Sequence, residues 1–379
     1  MTSAARNSPQ RHARVVIDLQ AIRDNHELLQ SLAPDSHLIA VIKADAYGHG
    51  AVQVARALPH AAAFAVATPM EARSLREAGI AQRILVLGGP LDAAQMQACI
   101  DLGLDPVLHQ AWQIELLEAA DRHGAIDVWL KFDSGMGRLG FDRSGLMDAL
   151  SRLQRLTGLG EIRLMTHLAN ADDAADESSL RQIERVDALG LSDFEWGIAN
   201  SAGIVAWPGA RRHWVRAGIA LYGADPMADH RCEDRLRPAM RFESRLLAVN
   251  TRRKGQGIGY GGRYVCPRDL RVGVVAAGYA DGYPRHMNGG RVAIGDAYAP
   301  VIGRVSMDMI TVDLSGTEAG PGDPVQLWGE RPRATEVAER SETIAYELLC
   351  HAGCHGHREY LHHRPGGGQK TAGNRSQNP

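Results

Sequence analysis

No apolar run in this 379-residue chain approaches the ~18–20 residues that a membrane-spanning helix needs. The polar opening, residues 1–13, lacks the apolar core of a secretory signal. Charge imbalance is missing as well. A formal net charge of -2 and a pI near 6.8 leave no basic footprint for nucleic acid or an anionic membrane surface. The five cysteines, Cys99, Cys232, Cys266, Cys350 and Cys354, are scattered and odd in number. They form no disulfide framework and fit reduced thiols in a cytoplasmic protein. Only Cys350-x-x-x-Cys354-His355-Gly356-His357 has the look of a metal cluster, and its spacing matches none of the familiar zinc patterns, so no metal is expected. There is no internal repeat. No Gly-x-Gly-x-x-Gly turn follows the first candidate strand, which argues against an open dinucleotide-binding sheet.

What is present is ordinary globular material, 45% hydrophobic and 23% charged, long enough for two or three domains. Short apolar runs at 37–42, 63–68, 83–88, 105–109, 126–132, 162–167, 194–198 and 213–215 read as strands. Stretches with helical periodicity lie between them, at 70–78, 93–102, 111–122, 146–156 and 179–189. Eight strands alternating with helices predict an α/β architecture, a closed (β/α)8 TIM-like barrel. After Arg237 strand-like runs follow closely, at 242–249, 270–277, 291–294, 301–305, 310–314 and 324–327, with one late helix at 334–352. The expected organisation is a disordered start at 1–13, a barrel at 14–236, a mainly-β C-terminal domain at 237–364 and a disordered tail at 365–379. The run at 14–17 has no slot among the barrel strands and is expected to pair with the C-terminal sheet.

In such a barrel the working residues sit at the C-terminal ends of the strands. Lys43 stands at the mouth of the first strand, followed by a small-residue turn and Tyr47. An unpaired buried ammonium is costly, and its productive use is a Schiff base with an aldehyde cofactor; a lysine snorkelling from a strand end is the plainer alternative. Lys131 lies on the fifth strand, followed by a glycine-flanked Arg138. His167 ends the sixth, Asn200-Ser201 follows the seventh, and Arg216, Gly218 and Ile219 follow the eighth. Each has its own bland explanation: a core histidine, a helix N-cap, a rim ion pair. Their convergence on one end of one barrel is what points to a site.

These residues lie in ordered segments that together resemble the alanine racemases, the fold-type III pyridoxal phosphate enzymes. The segments are Val41-Ile-Lys-Ala-Asp-Ala-Tyr-Gly-His-Gly50, Lys131-Phe-Asp-Ser-Gly-Met-Gly-Arg-Leu-Gly140, Met165-Thr-His167, Asn200-Ser201 and Val215-Arg-Ala-Gly-Ile-Ala-Leu-Tyr-Gly223. Gly257-Ile-Gly-Tyr-Gly-Gly-Arg-Tyr264, Gly278-Tyr-Ala-Asp-Gly-Tyr-Pro-Arg285 and Gly303-Arg-Val-Ser-Met-Asp308 complete the set. The resemblance implies pyridoxal 5'-phosphate bound through Lys43, with Tyr47, Ser201, Gly218 and Ile219 at its phosphate beside Asn200, and Arg216 at its pyridine nitrogen. It implies Tyr260 as a second base, supplied by the partner subunit of a homodimer and linked through His167 to Arg216. Arg138 and Met307 face the substrate, Tyr279 and Asp308 line the entrance, and Lys131 occupies a position that is carbamylated in some relatives. The implied activity is interconversion of L- and D-alanine, supplying D-alanine for peptidoglycan or breaking it down. One departure stands out: Cys354-His355-Gly356-His357-Arg358 replaces a tyrosine followed by Arg-Val-Pro-Arg. Within the same reading a racemase of serine or of many amino acids, a decarboxylase of basic amino acids and a non-catalytic cofactor-binding regulator remain as alternatives.

Overall fold

The protein is described by a computed structural model that covers residues 11–121, 124–354 and 358–361. Strand β1 (Arg14–Asp18) comes first, and Asp18 ends it by accepting the N–H groups of Gln20 and Ala21 as the N-cap of the helix Leu19–Leu32. Eight parallel strands follow: β2 (His37–Val41), β3 (Ala63–Val66), β4 (Arg83–Val86), β5 (Asp105–Leu108), β6 (Ile126–Lys131), β7 (Leu159–Met165), β8 (Trp196–Gly197) and β9 (Trp214–Ala217). They close in sequence order, with β9 returning to β2 in the register His37↔Trp214. Buried on both faces over most of their length, they appear in the sequence as largely apolar runs, broken by residues such as Arg163 on β7 and Arg216 on β9. Polar caps mark where helices start on the way back: Thr68, Asp92 and Asp142 each accept a backbone N–H of the first turn. The expected barrel is the one observed.

The C-terminal domain is built on β10 (Met240–Arg252), the hairpin β11 (Gly257–Ile258) and β12 (Tyr264–Val265), then β13 (Leu270–Val275), β14 (Arg291–Ile294), β15 (Ala297–Pro300), β16 (Ile310–Asp313), β17 (Pro324–Trp328) and β18 (Arg358–Leu361). β1 lies between β10, antiparallel, and β18, parallel, so both ends of the described chain are sewn into this sheet. The pairing expected for residues 14–17 is therefore present.

Two local expectations fail. The run at 301–305 is no strand: pairing occurs one step earlier, in β15, and only an isolated bridge joins Val301 to Val312. Gly303, at φ 72°, turns the chain out of the extended form there. The late helix is also split, into Ala334–Arg340 and Ala345–His351. Ser341 caps Val337 O through its hydroxyl at 2.6 Å, and Glu342 takes φ 56°, which ends the first piece. A small separate core of Ile258, Cys266, Leu270, Val272 and Ile302 supports the hairpin that carries Tyr260.

Candidate active site

The chain leaves β2 through buried Ile42 and then turns left-handed. Ala44, Asp45, Ala46 and Tyr47 take φ of 50, 53, 55 and 52°, a full left-handed turn of L-residues. Each residue in that form costs about 1–2 kcal/mol, so the surroundings must hold it. Ala46 N–H donates to Ile42 O at 2.9 Å and Gly50 N–H to Asp45 O at 2.8 Å. The Asp45 carboxylate accepts Ala51 N–H at 2.7 Å and pairs with Arg358 from β18. Lys43 opens this turn and Tyr47 closes it. His49, fully buried and stacked on Tyr222 at 4.4 Å, points Nδ1 at the carbonyls of Ala46 and Tyr47 (3.0 and 2.9 Å). Both partners are acceptors, so Nδ1 carries the proton, and burial lowers the imidazole pKa to about 4. The sequence reading placed Asp45 and His49 in the motif at 41–50 but gave neither a role, although a histidine between two glycines was a visible signal.

Opposite this turn, Asn200 caps the helix Ser201–Ala206 by accepting Gly203 N–H at 2.9 Å. The Ser201 hydroxyl accepts Gly218 N–H at 2.8 Å and Ala220 N–H at 3.4 Å, which leaves its own proton to donate outward. A Cβ on Gly218 would stand 2.9 Å from the Tyr47 hydroxyl. The residues expected at a phosphate, Tyr47, Ser201, Gly218 and Ile219 with Asn200 behind them, are thus brought together in a cradle of amides and hydroxyls.

Arg216, buried on β9, donates Nη1 to Gly197 O at 2.8 Å and Nη2 to Thr166 O (2.6 Å), Ile198 O (3.1 Å) and His167 Nδ1 (3.4 Å). Burial lowers its pKa to about 10, which keeps it cationic at neutral pH. Desolvation, then the charges of Arg216, Lys131, Arg138 and Lys43, drives the His167 pKa down to about 3. Lys131, the last residue of β6, is held at about 8 by burial and by Arg216 and Arg138. Lys43 is lowered by burial and then by Arg138, with Glu71 acting in the opposite sense. Asp133 shapes the loop to Arg138 by accepting Gly135 N–H and Gly137 N–H at 2.9 and 3.1 Å. The buried Gln182 bridges that loop and the His167 loop, donating to Ser134 Oγ and His167 O, both at 3.0 Å. Gln182 was not foreseen. The result is a barrel mouth dominated by positive charge, suited to a ligand carrying phosphate and carboxylate groups.

The remaining expected residues gather on the C-terminal domain. Tyr260 starts a short turn at the tip of the β11–β12 hairpin and is 71% exposed. Tyr279 N–H donates to Ser306 O at 3.1 Å and Ala280 N–H to Met307 O at 3.0 Å, so Tyr279, Met307 and Asp308 form one unit. Arg11 bridges Asp281 and Asp308 within it. Met307 is 54% exposed. At the departure near the C-terminus, Cys354 Sγ donates to Ala280 O at 3.3 Å, while His355 and His357 lie outside the described residues.

A closed barrel with a lysine and an anion cradle at its C-terminal mouth, joined to a β domain, defines an enzyme class that handles small phosphate-bearing ligands. Family models for the alanine racemase N-terminal domain and C-terminal domain match residues 17–226 and 239–360. An alanine racemase of Halorhodospira halophila is 45% identical over 347 residues, spanning 90% of this chain and 95% of that one. A catabolic alanine racemase of Pseudomonas putida is 44% identical over 346 residues, covering 90% and 96%. Among solved structures, the biosynthetic alanine racemase of Pseudomonas aeruginosa superposes with a TM-score of 0.90 at 41% identity, over 93% of this chain and all of that one. An alanine racemase of Bartonella henselae with covalently bound pyridoxal phosphate gives 0.83 at 29% identity, over 93% and 100%. The chain belongs to the alanine racemase family, and it is an isomerase.

Proposed function

We propose that this enzyme interconverts L- and D-alanine on pyridoxal phosphate by a two-base mechanism, Lys43 serving one face of Cα and Tyr260 the other. The observation that carries the reading is the meeting of Lys43's turn, Tyr47, Ser201, Gly218 and Arg216 at one barrel mouth. The residues fit the cofactor. Gly218 leaves open the space that a Cβ would take, and the Ser201 proton and the N-terminus of its helix favour an anion. When bound, pyridoxal phosphate supplies an electron-withdrawing ring that acidifies the Cα–H of an attached amino acid.

The chain's own residues do the rest. Burial and Arg138 favour the neutral amine of Lys43, the form that bonds an aldehyde and accepts a proton. Arg216 would face the pyridine nitrogen; its guanidinium, held by three backbone carbonyls, is too weak an acid to pass a proton to a pyridine and would leave that nitrogen unprotonated. That would temper the electron withdrawal and favour return of the proton to Cα over side reactions. Arg138 takes the substrate carboxylate beside Met307, and Tyr279 and Asp308 line the way in.

Tyr260 is exposed in the single chain, and we assign it to the site of a second subunit in a homodimer with two composite sites. Among the described residues no helix is long and apolar enough to cross a membrane, and all five cysteines are free thiols, in keeping with work in the cytoplasm. Both a biosynthetic and a catabolic enzyme stand among the relatives, and the same chemistry serves supply of D-alanine for peptidoglycan or its breakdown.

Solvent-deuterium exchange tests the two faces. Tyr260→Phe is expected to lose roughly 10²–10⁴-fold in exchange into L-alanine while retaining exchange into D-alanine. Equal losses for both enantiomers would end the two-base reading. Parallel assays with serine and lysine as substrates check the alanine assignment. The chain has four lysines, Lys43, Lys131, Lys254 and Lys370, so borohydride trapping followed by peptide mapping identifies the one that holds the cofactor.

A further inference from the structure

Glu71 sits on the first turn of the helix Pro69–Glu77 and belongs to none of the groups above. Its own N–H is taken by the Thr68 hydroxyl at 3.3 Å, an ordinary N-cap bond. A glutamate at this third position commonly folds back onto the N–H of its cap residue. Here it does something else. Oε2 accepts Ala67 N–H at 2.6 Å, at the exit of β3, and Oε1 accepts Ala44 N–H at 2.9 Å, at the exit of β2. Ala44 is the first residue of the left-handed turn and is bonded directly to Lys43.

That turn holds four L-residues in a disfavoured left-handed form, and only fixed partners keep it from relaxing to a right-handed one. The bonds that Asp45 makes secure its middle and far end. Glu71 secures its beginning, where the direction of the Lys43 side chain is set. We propose that Glu71 is the positioning residue of Lys43, fixing Ala44 so that the lysine amine stands where the cofactor needs it. The inference rests on the reading of Lys43 as the lysine that holds the cofactor. The Glu71 carboxylate also opposes Arg138 in its effect on the Lys43 ammonium, which gives the amine a chemical signature of its own.

Glu71→Gln tests this without changing shape: one acceptor remains, and an NH2 now opposes the second backbone N–H. Thr68→Val is the control, because it weakens the same helix start without touching Ala44. In the holoenzyme, Glu71→Gln is expected to lose roughly 10- to 100-fold in kcat, the scale of a small misplacement, with the KM for alanine little changed. Thr68→Val should lose thermal stability and little kcat. The second measurement needs no cofactor: competitive acetylation of the apoprotein, read at Lys43 relative to exposed Lys254. Glu71→Gln should raise the relative reactivity of Lys43 several-fold, because the amine loses its nearby anion, and Thr68→Val should not. An unchanged kcat and unchanged Lys43 reactivity in Glu71→Gln would overturn the proposal, as would an equal loss of kcat and an equal rise in Lys43 reactivity in Thr68→Val. Borohydride trapping of the wild type separates the two ideas. A label on another lysine removes the Lys43 reading and this proposal together, whereas a label on Lys43 with an indifferent Glu71→Gln removes the proposal alone.

Discussion

Nη2 of Arg216 lies 3.4 Å from Nδ1 of His167, and a guanidinium can only donate. Nδ1 is therefore the unprotonated nitrogen, and the imidazole proton is on Nε2. With its pKa pushed down to about 3 by burial and four neighbouring cations, His167 stays neutral through the working range and offers one fixed N–H. A fixed donor of this kind favours the phenolate of an approaching tyrosine over the phenol. A free tyrosine ionises near pH 10, so a tyrosine serving as the second base of the proposed mechanism needs such a donor.

His167→Leu removes the donor and keeps an apolar side chain in its place. Under the proposed mechanism the acid limb of kcat/KM in the L-to-D direction should move to higher pH, because the second base loses the donor that favours its charged form. At neutral pH the activity should fall roughly 10²-fold. A pH–rate profile checks it, and an acid limb that stays put would take His167 out of the proton path.

Gly218 and Tyr47 give a test of the anion cradle. A Cβ at 218 would stand 2.9 Å from the Tyr47 hydroxyl and 3.8 Å from Ser201 Oγ, closing the space between them. Gly218→Ala should weaken cofactor binding at least tenfold by equilibrium dialysis, about 1.4 kcal/mol. Tyr47→Phe, which removes the hydroxyl the methyl strikes, should make the second substitution much less harmful. The double variant is then far from additive, as expected for residues in contact. Strict additivity would place the two residues in separate environments.

Much of this was legible in the sequence for definite physical reasons. Strands buried on both faces leave no choice but apolar runs, and caps such as Thr68 and Asp142 mark the helix starts, so the barrel could be read directly. Lys43, Lys131, Arg138 and Arg216 were visible because each polar residue interrupts an apolar run or a glycine turn at the same strand end. The left-handed turn was not legible. Ala44 and Ala46 prefer right-handed helix, and what overrides them is distant in sequence: the carboxylate of Glu71 and the Arg358 partner of Asp45. Arg11 was hidden for the same reason, since its partners Asp281 and Asp308 lie some 270 residues away or more. The run at 301–305 misled because Val301 and Val305 favour strand while Gly303 decides the backbone.

Lys131 carries a pH prediction. Its ammonium is destabilised to about 8 by burial and by Arg216, Arg138 and Lys43, so a good share of the amine is neutral just above pH 7. A neutral amine adds to CO2 to give a carbamate and release a proton, and the new anion would lie in the field of the Arg216 and Arg138 guanidiniums. Occupancy should rise as pH climbs through about 8 and fall away in acid. Protein held with 13C-bicarbonate should show a carbamate resonance that Lys131→Gln lacks. Stripping CO2 at pH 7 should lower activity several-fold, with recovery on adding bicarbonate. Activity indifferent to CO2, with no such resonance, would leave Lys131 a plain cation.

The sharing of sites between subunits can be tested by mixing two dead proteins. Lys43→Ala loses the barrel base, and Tyr260→Phe loses the residue that stands 71% exposed on the β domain of a single chain. If each site draws Lys43 from one protomer and Tyr260 from the other, a heterodimer places both lesions in one site and leaves the second intact. Random exchange of equal amounts makes half of the dimers mixed, so activity should recover to about a quarter of the wild-type value per site, a consequence of closed two-fold pairing. Subunit exchange is demonstrated separately, with one parent carrying a mass tag. Exchange without recovered activity would put Tyr260 and Lys43 of the same chain in one site. The exposed hairpin tip would then have to fold back onto its own barrel, against the open position it holds.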